Sequence, residues 1–144
     1  MRRALVLGVV LVVGAGGALE AQESPPLARV LDSLAVSWQR GDARSVVTLA
    51  AGTGLTLSVT PEPVGPLAPR QAAALLRRIF EERETVSIEL GMEHVVGGVP
   101  PRAFGELTWV HRARGTTMPE RTVIFLALVR DDDAWRVTEI RFLR

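Results

Sequence analysis

The stretch Ala72-Ala73-Ala74-Leu75-Leu76-Arg77-Arg78-Ile79-Phe80-Glu81-Glu82-Arg83-Glu84-Thr85-Val86-Ser87-Ile88-Glu89-Leu90 decides how this chain folds. In its first half Ala72, Leu75, Leu76, Ile79 and Phe80 recur at three- and four-residue spacing, which gathers them on one stripe of a helix. Arg77, Arg78, Glu81, Glu82 and Arg83 fall on the watery side, at spacings that suit pairing one turn apart. After Arg83 the period drops to two. Val86, Ile88, Leu90 and Met92 alternate with Ser87, Glu89 and Gly91, the pattern of a half-buried strand.

Downstream the two-residue period persists between short turns. Gly97-Gly98 and Pro100-Pro101 break the chain, and Ala103, Gly105, Leu107, Trp109 and His111 then share one parity of a strand. Gly115–Glu120 turns again, Val123–Val129 forms the next strand, and Asp131-Asp132-Asp133 leads into the last, Trp135–Leu143. Upstream the pattern is helical. Pro69 opens the helix just described, at a position where its missing N–H is not needed. Leu27, Val30, Leu31, Leu34, Ala35 and Trp38 mark an earlier helix, which Gly41 stops. Asp42 is suited to cap a short second helix carrying Val46, Val47, Leu49 and Ala50, which Gly52 and Gly54 end. Leu55–Val59 alternates like a strand, and Thr60–Pro69, with four prolines and a glycine, is expected to be an irregular loop. The expectation is an α+β fold, helices first and a four-stranded antiparallel meander last.

The chain begins Met1-Arg2-Arg3 and continues with an apolar run from Ala4 to Leu19, the make-up of a secretory signal peptide over residues 1–21. Residues 22–144 are then one domain, exported to the periplasm or beyond, with no membrane segment in the mature form. Removing the leader takes away Arg2, Arg3 and Glu20 and brings the formal charge from +1 to zero, so no nucleic-acid partner is expected. There is no Cys, hence no lipid-anchored Cys, disulfide or thiolate metal site. All 17 basic residues are Arg, and Lys, Asn and Tyr are absent, a bias that a GC-rich genome accounts for.

Trp38-Gln39-Arg40-Gly41-Asp42-Ala43, Arg70-Gln71-Ala72 with Leu75-Leu76 and Ile79-Phe80, and Trp135-Arg136-Val137-Thr138-Glu139-Ile140 carry a resemblance. In this order of elements the chain resembles the nuclear transport factor 2-like superfamily, which includes ketosteroid isomerases. More narrowly it looks like a family of short secreted bacterial proteins of unknown function. The resemblance covers residues 27–144 and rests mostly on packing positions. It implies a curved sheet wrapped as a cone around three helices on its concave face, often with a pocket inside.

In such a cone Trp38, Phe80, Leu90, His94, Leu107, Trp109 and His111 are the candidate pocket-lining residues, the lining that small-molecule sites favour. Catalysis is harder to build. The ketosteroid isomerase Tyr donor cannot exist here, and Glu89, Glu93 and Glu106 oppose the apolar parity of their strands, leaving Glu139 as the one candidate for an inward carboxylate. His94 shares the parity of Leu90 and Met92, and His111 that of Leu107 and Trp109, but pairing about a turn at Gly98–Val99 sets His94 opposite Ala103, roughly 26 Å from His111. Asp131-Asp132-Asp133 lacks the spaced ligands of a calcium loop, and no P-loop or nucleophile elbow occurs. No cofactor or metal is expected. Three functions remain open: an exported, non-catalytic binder of an apolar small molecule, an isomerase- or hydratase-type enzyme, or a dimeric scaffold with a filled cone. Because Val123–Val129 is apolar on both parities, a homodimer through the outer sheet face is also expected.

Overall fold

The computed structural model describes residues 26–59 and 61–144; the leader expected over 1–21 lies outside them. Helix α1 (Leu27–Gln39) and the short α2 (Ala43–Thr48) come first, followed by β1 (Leu55–Ser58), β2 (Val64–Leu67) and α3 (Pro69–Glu82). Strands β3 (Arg83–Val96), β4 (Arg102–Ala113), β5 (Glu120–Asp131) and β6 (Ala134–Leu143) complete the chain. The sheet order is β2-β1-β6-β5-β4-β3, so the last four strands form the expected antiparallel meander. The sheet as a whole is mixed rather than antiparallel, because β1 runs parallel to β6.

The helix ends follow from local chemistry. Gly41 takes φ +64° and lets the Gly41 and Asp42 N–H groups return to the carbonyls of Trp38 and Ser37. The Asp42 carboxylate then accepts from the Ser45 N–H (3.1 Å) and the Ser45 hydroxyl (2.6 Å), capping α2 and holding the carboxyl below its ordinary pKa. At α3 the Gln71 side chain accepts from the Ala68 N–H, and at the other end Arg114 donates to the carbonyls of Glu81 and Phe80. Arg112 pairs with Glu84 at 3.1 Å on the neighbouring strand.

One segment differs from expectation. Val64–Leu67, inside the supposed irregular loop, pairs with β1 as an edge strand. Pro66 within it and Pro63 just before it fall on an edge, where missing ladder donors are tolerated. Two positive-φ residues, Asp132 and Asp133, form the β5–β6 hairpin turn, the backbone that a tight hairpin with right-handed twist requires.

The helices lie on the concave face. Leu31 and Leu34 of α1, Leu76 and Phe80 of α3 and Val46 of α2 join Ala103, Leu107, Trp109, Ile124, Leu126 and Ile140 in one core. At Gly105 the approach is closest: a Cβ there would stand 3.0 and 3.2 Å from the two Leu31 methyls, so glycine lets α1 settle against β4. The other parity of the same strands, Phe104, Val110, Val123, Phe125, Ala127 and Val129, stays half-buried on the convex face.

Candidate functional site

Inside the cone the candidate residues meet one another. Trp38, from the end of α1, sets its ring edge-on to Phe80 (centroids 5.1 Å) and to Trp109 (5.5 Å). His111 lies against Trp109 at 4.1 Å, and Leu107 is one inward position along the same strand. Trp38, Leu107, Trp109 and His111 all have 0% exposure, so the volume they were expected to line is occupied by their own side chains. Phe142 closes the group, 5.7 Å from Trp38 and 6.2 Å from Trp109.

Leu90 and His94 are not brought into this cluster. Leu90 faces Leu107 across the β3–β4 ladder but stands 37% exposed on the edge strand. Between Leu90 and Glu93 the register shifts by a bulge, which reverses the side on which the following residues point. His94 therefore pairs with Phe104 and not with Ala103, and turns to the convex face. There it borders a groove of about 390 Å³ with Met92, Glu106, Phe104 and Phe125. His111 is seven residues further along β4 and on the opposite face, roughly 23 Å away by strand rise. The two histidines do not form one site. Among the described residues no group of three or more His, Asp or Glu is placed to hold a metal ion.

Polar satisfaction inside the cluster is uneven. The Trp109 indole N–H donates to the Thr85 hydroxyl at 2.9 Å, and His111 Nε2 is hydrogen-bonded to the Thr122 hydroxyl at 2.9 Å. His111 Nδ1 and the Trp38 indole N–H are buried without a partner. Burial holds the His111 pKa below its ordinary value; the Arg83 charge lowers it further and Glu120 partly offsets this. His111 is the one ionisable side chain among the described residues that is buried. Glu139, the candidate inward carboxylate, sits across from Ala127 on the convex parity and pairs with Arg141 at 2.7 Å. Glu106 is likewise on the convex side, across from Phe125.

The sequence pattern missed Phe142, Thr85 and Thr122 as members of the cluster. In β6 the inward parity runs Trp135, Val137 and then Ile140, because a register shift opposite Ala127–Leu128 inserts a residue, so Phe142 looks outward by simple alternation. On the convex face Phe104 and Phe125 stack at 5.5 Å, and the Arg141 guanidinium lies 5.8 Å over the Phe125 ring.

A curled, open six-stranded sheet with three helices on its concave side is an architecture shared with many solved structures. The fold is that of the nuclear transport factor 2-like cone. A DUF4783 family protein from Bacteroides ovatus is similar over 85% of this chain and 96% of its own, with 10% identity and a TM-score of 0.65. A nuclear transport factor 2-like protein of unknown function from Shewanella oneidensis covers 81% of this chain and 95% of its own, at 13% identity and TM-score 0.61. A hypothetical protein with a ketosteroid isomerase-like fold from Catenulispora acidiphila, in complex with trimethylamine, covers 84% and 86%, at 15% identity and TM-score 0.63. These likenesses extend to the cone and not to its chemistry. No family model and no curated protein matches the chain.

Proposed function

We propose that the chain is an exported interaction domain that works as a homodimer through the convex face of its sheet, with a cone filled by its own side chains. The observation that carries this reading is the outer face of β5, where Val123, Phe125, Ala127 and Val129 are apolar and half-buried opposite all three helices, flanked by Phe104 and bordered by Glu106, Arg136, Glu139 and Arg141 on the neighbouring strands. Apolar residues contiguous on an open sheet face are what a partner covers. Strands of up to 12 residues, about 3.3 Å per residue and 4.8 Å apart, make β3–β6 a surface on the order of 600 Å², near the scale of one side of a standard interface. A second copy fits because it presents the same apolar row to itself across a two-fold axis. Light scattering at micromolar concentration should give a dimer mass, and Phe125→Asp should give a folded monomer by circular dichroism. A monomeric wild type removes the proposal.

Export rests on the leader pattern of residues 1–21. Expressed in full, the chain should be recovered outside the cytoplasm with Gln22 at its N-terminus; retention of Met1 in the cytosol would contradict it.

A second reading, a small apolar molecule held among Trp38, Phe80, Leu107, Trp109 and His111, is favoured by one observation. The Trp38 N–H and His111 Nδ1 are buried and unpartnered, positions that a ligand's polar group would satisfy. Quenching of tryptophan fluorescence on titration with fatty acids and sterols tests it; no saturable change leaves the dimeric scaffold alone.

A further inference from the structure

Between α2 and the first turns of α3 runs a groove of about 640 Å³, a size that suits a small ligand. Arg44, Arg70 and Arg77 line it, with no carboxylate on its walls. Val47 and Ala51, both buried, and the half-buried Ala73 give it an apolar floor. No described residue ion-pairs with any of the three guanidiniums or accepts a hydrogen bond from one. The nearby Asp42 attracts Arg44 through space, but its carboxylate is bonded to Ser45 and forms no ion pair with the Arg44 guanidinium.

The chain carries nearly equal numbers of acidic and basic residues, 16 and 17, so three unpaired cations around one concavity are a matter of placement and not of abundance. Like charges gathered in a cleft repel one another and focus a positive potential there, which an anion relieves. Guanidinium forks bind carboxylate, phosphate and sulfonate oxygens in pairs of hydrogen bonds. We propose that this groove binds a small organic anion, its charged head between Arg44, Arg70 and Arg77 and its apolar body on Val47, Ala51 and Ala73. The site lies on the helical side of the molecule, apart from both the convex face and the aromatic cluster.

The test uses anilinonaphthalene sulfonate and its uncharged counterpart, N-phenylnaphthylamine, as fluorescent probes of the full domain. The sulfonate should bind the wild type saturably and weaken by roughly tenfold or more in a variant carrying Arg44→Ala, Arg70→Ala and Arg77→Ala. Its affinity should also fall as salt is raised, since exposed guanidiniums are screened. The uncharged probe should not distinguish the two proteins. Circular dichroism checks that the triple variant is folded; if it is not, Arg77→Gln, an exposed position, should still weaken the sulfonate severalfold. A sulfonate that binds the variant as tightly as the wild type, or that does not bind the wild type saturably, overturns the assignment.

Discussion

Replacing each of the two fully buried tryptophans by phenylalanine applies the same chemical change to two sites that differ in one respect. Trp38 and Trp109 both have 0% exposure and touch each other, but the Trp109 N–H is bonded to Thr85 while the Trp38 N–H is not. Loss of the pyrrole half of the indole costs packing at both, on the order of 1–2 kcal/mol by analogy with other core truncations. At Trp38 the substitution also removes an unsatisfied donor, whose burial costs about 1–3 kcal/mol, so the two terms offset. At Trp109 it removes a made hydrogen bond, adding about 0.5–1.5 kcal/mol to the loss. Trp38→Phe should therefore lie within about 1 kcal/mol of wild type, and Trp109→Phe should be destabilised by about 2–3 kcal/mol. Urea unfolding followed by far-ultraviolet circular dichroism reads this as a displaced midpoint at constant slope. Equal destabilisation of the two variants would refute the reasoning and would mean that the Trp38 N–H has a partner, such as an enclosed water.

His111 gives a pH dependence of definite sign. Its folded-state pKa is lowered from the unfolded value of about 6.5, so the unfolded chain takes up a proton first. Stability should be flat above that value and decline as pH falls below it towards the folded pKa, by at most about 1.4 kcal/mol per pH unit. Thermal melts of His111→Gln across the same range should lose this slope; a slope that persists unchanged would assign it elsewhere. Gly105→Val should cost about 1–3 kcal/mol by driving a side chain into Leu31, and Leu31→Ala should recover part of that in a double-mutant cycle. If the two changes simply add, α1 is not seated on β4 as described. Ile79→Asp should leave the domain unfolded at room temperature, since it buries an unpaired carboxylate; a wild-type melt would show that this face of α3 is not in the core.

The fold was legible where it depends on neighbours in sequence. The change of period after Arg83, the stop at Gly41, the cap at Asp42 and the Asp132–Asp133 turn all act within a few residues, and each produced the expected element. Features set by pairing between strands were not legible. The bulge after Leu90 sends His94 to the convex face, and the shift in β6 brings Phe142 inward; neither leaves a mark in residue type, since alternation is assumed to continue. Val64–Leu67 was hidden by its prolines, which read as loop until β1 supplies an edge to lie against. Trp38, Phe80, Leu107, Trp109 and His111 were recognisable as facing one interior, but how closely the rings of α1, α3, β4 and β6 interlock depends on three-dimensional distances.

The parallel pairing of β1 with β6 bears on when the chain is able to fold. Thr56, Leu57 and Ser58 meet Glu139, Ile140 and Arg141, and the Leu49 carbonyl and Ala51 N–H bond to Val137. β1 meets β2 as soon as both are made, but its parallel ladder waits for the last strand. Contacts of such long sequence separation must close a large loop first, which slows folding and makes it a property of the entire chain. A nascent chain still lacking β6 has no partner strand on which β1 and its β2 edge can dock. The same stitch ties β1 to the last strand in one cooperative unit, so loosening β6 should release β1 with it, and hydrogen exchange in the two strands should rise together.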